Sequence, residues 1–255
     1  MLHETVVQTE AARAGGPPPP RHVGIIMDGN GRWARRRGRP HSFGHRAGVR
    51  ALKRVMYACE PLGVQVLSAY TFSTENWGRP RAEVRGLMRL FHEAIQREID
   101  EIDERGIRIV VSGRRSELSP RMRARIVAAE ERTANNLQGV LNVCLNYGGR
   151  AELVDAVRDL VRSGIAADRI DEDALRAHLY HPELPDPDLI IRTAGESRMS
   201  NFLLWESAYS ELYVTETLWP DFDEEDLRKA VADYQSRVRR FGGRPELETS
   251  SGGGP

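Results

Sequence analysis

Short runs of apolar residues recur along the chain and alternate with longer segments in which apolar and polar residues mix. Six runs are predicted to be strands, at residues 22–28, 64–72, 107–112, 139–146, 188–193 and 211–215. The first run contains the sequence VGIIM, which is apolar throughout, as is typical of strands that helices cover on both faces. The pattern therefore indicates a buried, mostly parallel sheet.

The segments between these runs place apolar residues at helical spacing. Residues 44–62, for example, carry Val49, Leu52, Val55 and Met56 on one face. Helices are predicted at residues 44–62, 81–105, 119–136, 150–162, 171–180 and 223–241. The alternation of strands and helices favours an α/β fold.

Length and composition set the domain organisation. The chain has 255 residues, 40% of them hydrophobic, which is enough for one large domain or two small ones. We expect disordered tails at residues 1–20 and 244–255 around a folded domain at residues 21–243.

Cys59 and Cys144 lie in apolar runs without CxxC spacing, so we expect buried thiols and no zinc site. With no signal-peptide pattern and no run of 18 apolar residues, we expect a cytoplasmic protein.

The balance of basic and acidic residues indicates which kind of binding partner is not expected. The 37 basic residues match the 37 acidic ones, which argues against a general nucleic-acid binder. Every basic residue except Lys53 and Lys229 is an arginine, and arginine makes forked contacts to phosphate.

Polar residues collect just past the predicted strands. Ligands of parallel sheets bind outside the carboxyl ends of the strands. Asp28 follows the first strand, the stretch FSTENWGRP follows the second, and Asn146 and Arg192 lie at the ends of the fourth and fifth. We therefore expect one site along this edge of the sheet.

The stretch DGNGRWA at residues 28–34 permits two interpretations. Gly29, Gly31 and Ala34 match the dinucleotide fingerprint GxGxxA, but Asp28 would then face a pyrophosphate with no compensating charge. Alternatively, glycine amides and the cations that follow bind a diphosphate, and Asp28 holds Mg²⁺ together with substrate phosphates. We favour the diphosphate site, and a turn or helix cap is the structural alternative for Asp28.

Two further stretches place polar residues beside arginines. In FSTENWGRP, Trp77 next to Arg79 suits the floor of a pocket for an apolar chain with a polar head, although a plain turn explains the asparagine and glycine equally well. In residues 192–213, Arg192 and Arg198 are placed to grip a second diphosphate. Two interpretations fit Glu211 equally well, namely a second metal ligand and an acidic residue on a surface strand.

Five stretches together resemble the cis-prenyltransferases, and most closely the bacterial isoprenyl transferases of the undecaprenyl diphosphate synthase type. They read HVGIIMDGNGRWA, GH at positions 44–45, YTFSTENWGRP, LNYGGRAELVDA and IRTAGESRMSNFLLWESAYSELYVTETLWPDF, and the match spans about residues 22–243. The resemblance implies a single α/β domain with a six-stranded, mostly parallel sheet that acts as a homodimer. It also implies Mg²⁺-dependent condensation of isopentenyl diphosphate onto an allylic diphosphate such as farnesyl diphosphate, with Z double bonds. The product would be a polyprenyl diphosphate such as undecaprenyl diphosphate, for the cell-wall lipid carrier.

The resemblance also implies roles for individual residues. Asp28 is the catalytic acid that handles Mg²⁺ together with Glu211, and Asn76 takes part in proton removal. The implied substrate-binding residues are Gly29, Asn30, Gly31, Arg32, Trp33, His41 and His45 for the allylic substrate, Ser73, Thr74, Glu75, Trp77 and Arg79 around the reacting centre, and Arg192, Arg198 and Ser200 for isopentenyl diphosphate. His41 stands where the family usually has an arginine, and Ala194 and Ser197 are smaller departures.

A growing polyprenyl chain needs an apolar tunnel, because each five-carbon unit gains roughly 3–4 kcal/mol by staying out of water. The apolar faces of the predicted helices at residues 44–62 and 81–105 are the best candidate walls, although core packing accounts for the same residues. A long product leaves such a tunnel reluctantly, so we expect release at a membrane, at its inner face. The alternatives are a short- or medium-chain synthase, a non-catalytic partner subunit, which the presence of Asp28 and Asn76 disfavours, and a dinucleotide-binding enzyme.

Overall fold

The six predicted strands form a single sheet. A computed structural model of the chain describes residues 17–237. Its strands are β1 (His22–Ile26), β2 (Val66–Ser73), β3 (Ile107–Ser112), β4 (Gly139–Tyr147), β5 (Leu189–Arg192) and β6 (Glu211–Val214). Their order is β3-β4-β2-β1-β5-β6, and each neighbouring pair is parallel. The α/β class is confirmed, and the sheet is parallel throughout rather than mostly parallel.

Helices connect the strands. Within residues 17–237 they are α1 (Asn30–Arg36), α2 (His41–Cys59), α3 (Arg81–Glu104), α4 (Pro120–Thr133), α5 (Gly149–Ser163), α6 (Glu172–Arg176) and α7 (Glu224–Ser236). The predicted helix at residues 171–180 is limited to the five residues of α6. The apolar pattern does not predict α1, because seven mostly polar residues give no helical periodicity.

The order of the strands creates a crevice at the carboxyl end of β1. The chain passes from β1 to β2 on one side, and it reaches β5 on the other side only after β4. Parallel sheets bind ligands where neighbouring connections leave in opposite directions in this way. Asp28 follows β1 and therefore lies in the crevice.

The two long helices over one face of the sheet pack differently. On α2, Ala51 and Val55 are fully buried against the sheet. On α3, only Val84, Leu87 and Ile102 of 24 residues are buried. The remaining apolar residues of α3 are only partly buried, because many of them face a cavity described below; they include Leu90, Phe91 and Ile95.

The described residues include part of the predicted N-terminal tail. Pro20 is buried, and the Pro17 carbonyl accepts a hydrogen bond of 2.6 Å from Gln235 Nε2. This part of the predicted tail therefore contacts the folded domain. Residues 1–16 and the predicted tail at 244–255 lie outside the described residues.

Two expectations about the chain's class can also be compared with the structure. Cys59 and Cys144 are buried and unpaired, as predicted. Among residues 17–237, none of the helices combines the length and apolar character that crossing a membrane requires.

Candidate active site

Asp28 is fixed through its backbone and presents its carboxylate to the open edge of the sheet. Its amide donates to Thr193 Oγ1 at 2.9 Å, and its carbonyl accepts from Thr193 Oγ1 at 2.8 Å and from the Trp219 amide at 3.0 Å. The carboxylate accepts from the Gly29 amide at 2.7 Å and from Arg192 Nη2 at 3.0 Å. The Asp28 side chain is 37% exposed, whereas that of Arg192 is 3% exposed. Asp28 is therefore a rigidly placed acid with access to a ligand.

Thr193 is a positioning residue that the sequence interpretation missed. Its hydroxyl bridges the amide and the carbonyl of Asp28, as described above. A threonine directly after an apolar strand, at the edge where the site is expected, is the signal that could have identified it.

Gly29 allows the chain to turn from β1 into α1. Its φ of 101° lies in the left-handed region, which favours glycine. A Cβ at this position would lie 2.9 Å from Leu218 Cδ2 and 3.0 Å from Ala194 Cβ. The position therefore excludes larger residues.

Arg192 organises the loop that follows β5. Its Nη1 donates to Ser200 Oγ at 2.6 Å and to the Arg198 carbonyl. Four non-glycine residues between β5 and β6 have positive φ, namely Ala194, Ser200, Asn201 and Leu203. Such backbone persists only where surrounding contacts impose it, and it concentrates at functional sites.

Two more arginines, Arg32 and Arg198, form ion pairs with the carboxylate of Glu196. Arg32 Nη2 lies 3.5 Å from Glu196 Oε1, and Arg198 Nη1 lies 2.5 Å from Glu196 Oε2. The Arg32 and Arg198 side chains are 42% and 65% exposed. Exposed ion pairs of this kind are weak, so both guanidinium groups are free to turn towards a diphosphate.

The stretch after β2 forms a 3₁₀ turn (Thr74–Gly78) that carries the second group of predicted residues. Asn76 Oδ1 accepts from the Ser73 amide at 3.1 Å, which fixes the asparagine side chain. Trp77 is 41% exposed, and its indole N–H donates to Asn146 Oδ1 at 2.7 Å. The tryptophan ring is therefore oriented by a hydrogen bond while one part of it faces solvent.

The turn after β2 is connected to the loop after β5. Asn201 Nδ2 donates to Glu75 Oε1 at 2.7 Å, and a Cβ at Gly148 would lie 2.7 Å from Thr74 Oγ1. Burial acts to raise the pKa of Glu75, but hydrogen bonds from its own amide and from Asn201 outweigh it and hold that pKa below its usual value. Glu75 is therefore ionised at neutral pH, and its charge maintains the connection.

His45 lies on α2 beside the start of α3. Its Nε2 is 3.7 Å from Glu83 Oε1, and Arg79 Nη1 donates to the same oxygen at 3.0 Å. Burial, together with the charges of Arg79 and His41, lowers the pKa of His45, and Glu83 only partly opposes this. The imidazole is therefore neutral at physiological pH and can accept or donate a hydrogen bond.

His41 faces the glycine-containing stretch, as its predicted role requires. It begins α2, and a Cβ at Gly31 would lie 3.4 Å from His41 Cε1. The structure therefore brings His41 next to the predicted allylic site.

Three buried polar atoms at this site have no hydrogen-bond partner among residues 17–237. They are Asn30 Oδ1, His45 Nε2 and Arg192 Nε. Buried polar atoms are nearly always paired in folded proteins, and an unpaired one calls for an explanation. Three at one site indicate a place where a polar ligand completes the bonding.

An apolar cavity leads away from these atoms. It lies between α2, α3 and the sheet, has a volume of about 160 Å³, and begins at Met27, Asn30 and His45. Its walls include Val49, Leu52 and Met56 of α2, Leu87, Leu90, Phe91, Ala94 and Ile95 of α3, and Ile109, Leu141 and Val143 of the sheet. The two helices predicted as tunnel walls do line a cavity, and its mouth is the polar site.

Trp33, which is predicted to bind the allylic substrate, is not among the described residues that line the cavity. It is 8% exposed, its indole N–H donates to Asp221 Oδ1 at 2.6 Å, and its ring stacks on Phe43 at 5.7 Å. These contacts anchor α1 to the rest of the domain.

Glu211 lies at the amino ends of the parallel strands, whereas Asp28 lies at their carboxyl ends. The register places Glu211 beside Leu189, and Leu189 beside Val23, at the amino ends of their strands. Asp28 is five residues beyond Val23, or roughly 16 Å along the strand direction. Glu211 instead accepts a hydrogen bond of 2.7 Å from Arg237 Nη1. Asp28 and Glu211, which are predicted to hold one Mg²⁺ together, therefore lie at opposite ends of the strands within one chain, and their joint role stays a prediction.

The donor set fits one kind of metal site. Within residues 17–237, no three His, Cys, Asp or Glu side chains cluster as a complete cage. Mg²⁺ commonly takes one or two carboxylates and completes its shell with water and substrate phosphates. The exposed Asp28 carboxylate fits Mg²⁺ held in that way and does not fit a structural zinc ion.

Comparisons with known proteins agree with this geometry. The family model described as putative undecaprenyl diphosphate synthase matches residues 26–242. An isoprenyl transferase of Heliobacterium mobile is 50% identical over 228 residues, covering 88% of each chain. The ditrans,polycis-undecaprenyl-diphosphate synthase of Xanthomonas axonopodis pv. citri, described as (2E,6E)-farnesyl-diphosphate specific, is 48% identical over 227 residues, again 88% of each chain. The chain belongs to the undecaprenyl diphosphate synthase family of prenyltransferases.

Solved structures share the fold. The crystal structure of lavandulyl diphosphate synthase from Lavandula x intermedia, in complex with dimethylallyl diphosphate, matches with a TM-score of 0.83 and 35% identity. A probable undecaprenyl diphosphate synthase from Campylobacter jejuni matches with a TM-score of 0.75 and 28% identity. Each match covers 88% of this chain and 98% of the other.

Proposed function

We propose that the protein is an isoprenyl transferase that repeatedly condenses isopentenyl diphosphate onto an allylic diphosphate, farnesyl diphosphate in the first instance, and forms Z double bonds. The observation that carries the proposal is an apolar cavity opening directly into a site of an acid, arginines and three unpartnered polar atoms. A substrate with a charged head and a growing hydrocarbon tail needs both parts in this order. The product is a polyprenyl diphosphate such as undecaprenyl diphosphate, a lipid carrier for the cell wall.

The residues of the chain divide the chemistry between them. Asn30, His45 and the Gly29 backbone receive the allylic diphosphate at the mouth of the cavity, and Arg192, Arg198 and Ser200 receive isopentenyl diphosphate. Positive groups around the departing diphosphate stabilise the charge that develops as the allylic bond breaks. The isopentenyl double bond then attacks the allylic carbon, and Asn76 assists loss of the proton that forms the new double bond.

Mg²⁺ is part of this proposal and would be held by Asp28 together with substrate phosphates. When bound, it supplies neutralisation of charge on the phosphate oxygens. Asp28 is suited to hold it because Thr193 fixes the Asp28 backbone while the carboxylate stays exposed.

A homodimer with its product released at a membrane surface is also proposed. Support for the dimer comes from α5, where Val154, Val157 and Val161 are 47%, 51% and 70% exposed. These positions share one face of the helix, and an apolar face of this kind is typical of a protein interface. Support for the membrane surface is the apolar product itself, because a long hydrocarbon tail is poorly soluble in water.

Incorporation of labelled isopentenyl diphosphate tests the proposed activity. The purified protein is incubated with Mg²⁺ and farnesyl diphosphate, and label is followed into extractable lipid. We expect incorporation that requires both the allylic starter and Mg²⁺ and that stops with a chelator. No incorporation with farnesyl, geranyl or dimethylallyl diphosphate would contradict the proposed function.

A further inference from the structure

The helix α3 packs on the core through apolar residues and is also joined to its neighbours by charged groups. Only three of its 24 residues are buried. On the side facing α4, Arg132 pairs with Asp100 at 2.5 Å and with Asp103 at 3.0 Å. On the side facing α2, the cavity leaves a gap between parts of the two helices, and residues of both helices line it, among them Leu52 of α2 and Ile95 of α3.

Three charged side chains bridge α2 and α3 across this gap. Lys53 Nζ lies 2.5 Å from Glu98 Oε2 and 2.6 Å from Glu101 Oε2. We call Lys53, Glu98 and Glu101 the clasp. Their side chains are 32%, 28% and 41% exposed, so the clasp lies between solvent and interior.

The clasp forms part of the cavity wall. Lys53 and Glu98 line the cavity together with the apolar residues Leu52, Met56 and Ile102. Lys53 follows His45 by eight residues on α2, which is about 12 Å along the helix axis. A chain that enters at His45 therefore reaches charged groups only after the cavity has accommodated part of its length.

The charges of the clasp reinforce each other. The hydrogen bonds that Lys53 donates to Glu101 and Glu98 raise the pKa of Lys53, and the bond from Lys53 lowers the pKa of Glu101. Lys53 and Glu101 thus stay ionised at physiological pH. An apolar chain can pass between α2 and α3 at this point only by separating the ion pairs or by displacing the water around them.

We propose that the clasp of Lys53, Glu98 and Glu101 is a specificity-determining element. It closes the gap between α2 and α3 and thereby limits product length. This inference rests on the proposed prenyl-chain elongation. While the clasp is closed, elongation stops when the chain end meets it. With the clasp open, the end of the prenyl chain leaves the cavity through the gap between α2 and α3, and further five-carbon units are added.

Product length in clasp variants tests the proposal. Lys53→Met keeps a long, unbranched side chain but removes the charge, so that Glu98 and Glu101 repel each other. We expect its products to be longer than those of the wild type by at least one five-carbon unit, with the rate of the first condensation changed less than about twofold. The double variant Glu98→Gln/Glu101→Gln removes the pairs from the other side, and the same lengthening is expected. Products are sized by mass spectrometry, and folding is checked by thermal unfolding.

Two further variants separate a specific effect from a structural one. Lys53→Arg keeps the charge and is expected to restore the wild-type length. Lys229→Met is the matched control, because the only other lysine of the chain lies exposed on α7, 3.9 Å from Glu225. It is expected to leave product length unchanged.

The outcomes distinguish the two proposals. If the wild type elongates but folded Lys53→Met or the glutamine double variant gives equal or shorter products, the clasp proposal is overturned and the proposed function stands. If Lys229→Met lengthens products as much as Lys53→Met, the effect is one of net charge and the clasp proposal is also overturned. If the wild type elongates no starter, the proposed function is contradicted, and the clasp proposal is overturned with it.

Discussion

Asp28 combines a fixed backbone with a partly exposed carboxylate. Thr193 and the Trp219 amide hold the main chain, and Arg192 holds one carboxylate oxygen. The arginine is almost completely buried, so a neutral residue at position 28 leaves its charge less compensated. Asp28 therefore contributes both to the stability of the loop after β5 and to the charge of the site.

Asp28→Asn is expected to reduce kcat by roughly 100-fold or more, the scale seen when a group that stabilises developing charge is removed. The amide keeps the shape of aspartate but lacks the charge that Mg²⁺ requires. Asp221→Asn is the matched control, because Asp221 binds Trp33 and Arg37 rather than the site. It should lower the melting temperature and leave kcat within a few-fold. Near-normal kcat in a folded Asp28→Asn variant would remove Asp28 from the mechanism.

At this scale the sequence predicted the composition of the site better than its geometry. Asp28, Arg192 and Ser200 meet as expected, because each follows or ends a strand at the same edge. The position of Glu211 was not foreseen, although it stands first in its predicted strand and the first residue of a parallel strand lies at the amino ends of the strands. The contacts of Trp33 were not foreseen either, because the direction of its side chain depends on α1, which the apolar pattern does not reveal.

At the scale of elements, the packing of α5 against β4 and the loop after β5 buries two carboxyl groups together. Tyr147 donates to Glu152 Oε2, and the Tyr180 amide donates to Glu152 Oε1 at 3.0 Å. Glu206 Oε2 is buried without a partner. Burial, with the charge of Glu152 second, raises the pKa of Glu206 to about 8. The folded protein therefore holds a proton here that the unfolded chain releases near its ordinary pKa of 4.5.

The free energy of unfolding should consequently fall as pH rises from about 5 to 8. The raised pKa means that the contribution is fully present below pH 4.5 and is lost as pH passes through the folded-state pKa. Glu206→Gln should flatten this dependence and raise stability at pH 8.5 by on the order of 3 kcal/mol. Urea unfolding at several pH values measures the effect, with Glu131→Gln on the exposed face of α4 as the control. Equal slopes against pH in wild type and Glu206→Gln would exclude the buried proton.

The elements themselves were largely predictable, since long apolar periodicities and buried strands leave clear patterns. The strand at residues 107–112 was predicted to the residue, and α3 to within one residue at its end. The start of α2 at His41 was not, because the residues of its first turn, HSFG, show no helical apolar pattern. The partial burial of α3 was also not predictable, because the same apolar face suits a core or a cavity.

At the scale of the whole molecule, the exposed valines of α5 bear on assembly. A charge at Val157 would have to be buried in the proposed dimer, so Val157→Glu is expected to shift the protein to monomers. Analytical ultracentrifugation at micromolar concentration measures this. Val127→Glu is the control, because Val127 is similarly exposed, at 45%, but lies on α4. A monomeric wild type, or an unchanged dimer in Val157→Glu, would contradict a dimer through this face.

We predict that this single type of chain, without another protein, extends an allylic diphosphate by successive Z additions. The most direct test is the length and double-bond geometry of the product that the purified protein makes from farnesyl diphosphate, isopentenyl diphosphate and Mg²⁺. Mass spectrometry gives the number of added five-carbon units, and carbon-13 NMR of the methyl groups gives the configuration of each new double bond. We predict a series of products in which every added unit is Z. Products with E units, or a farnesyl starter recovered without any addition, would contradict the proposed elongation.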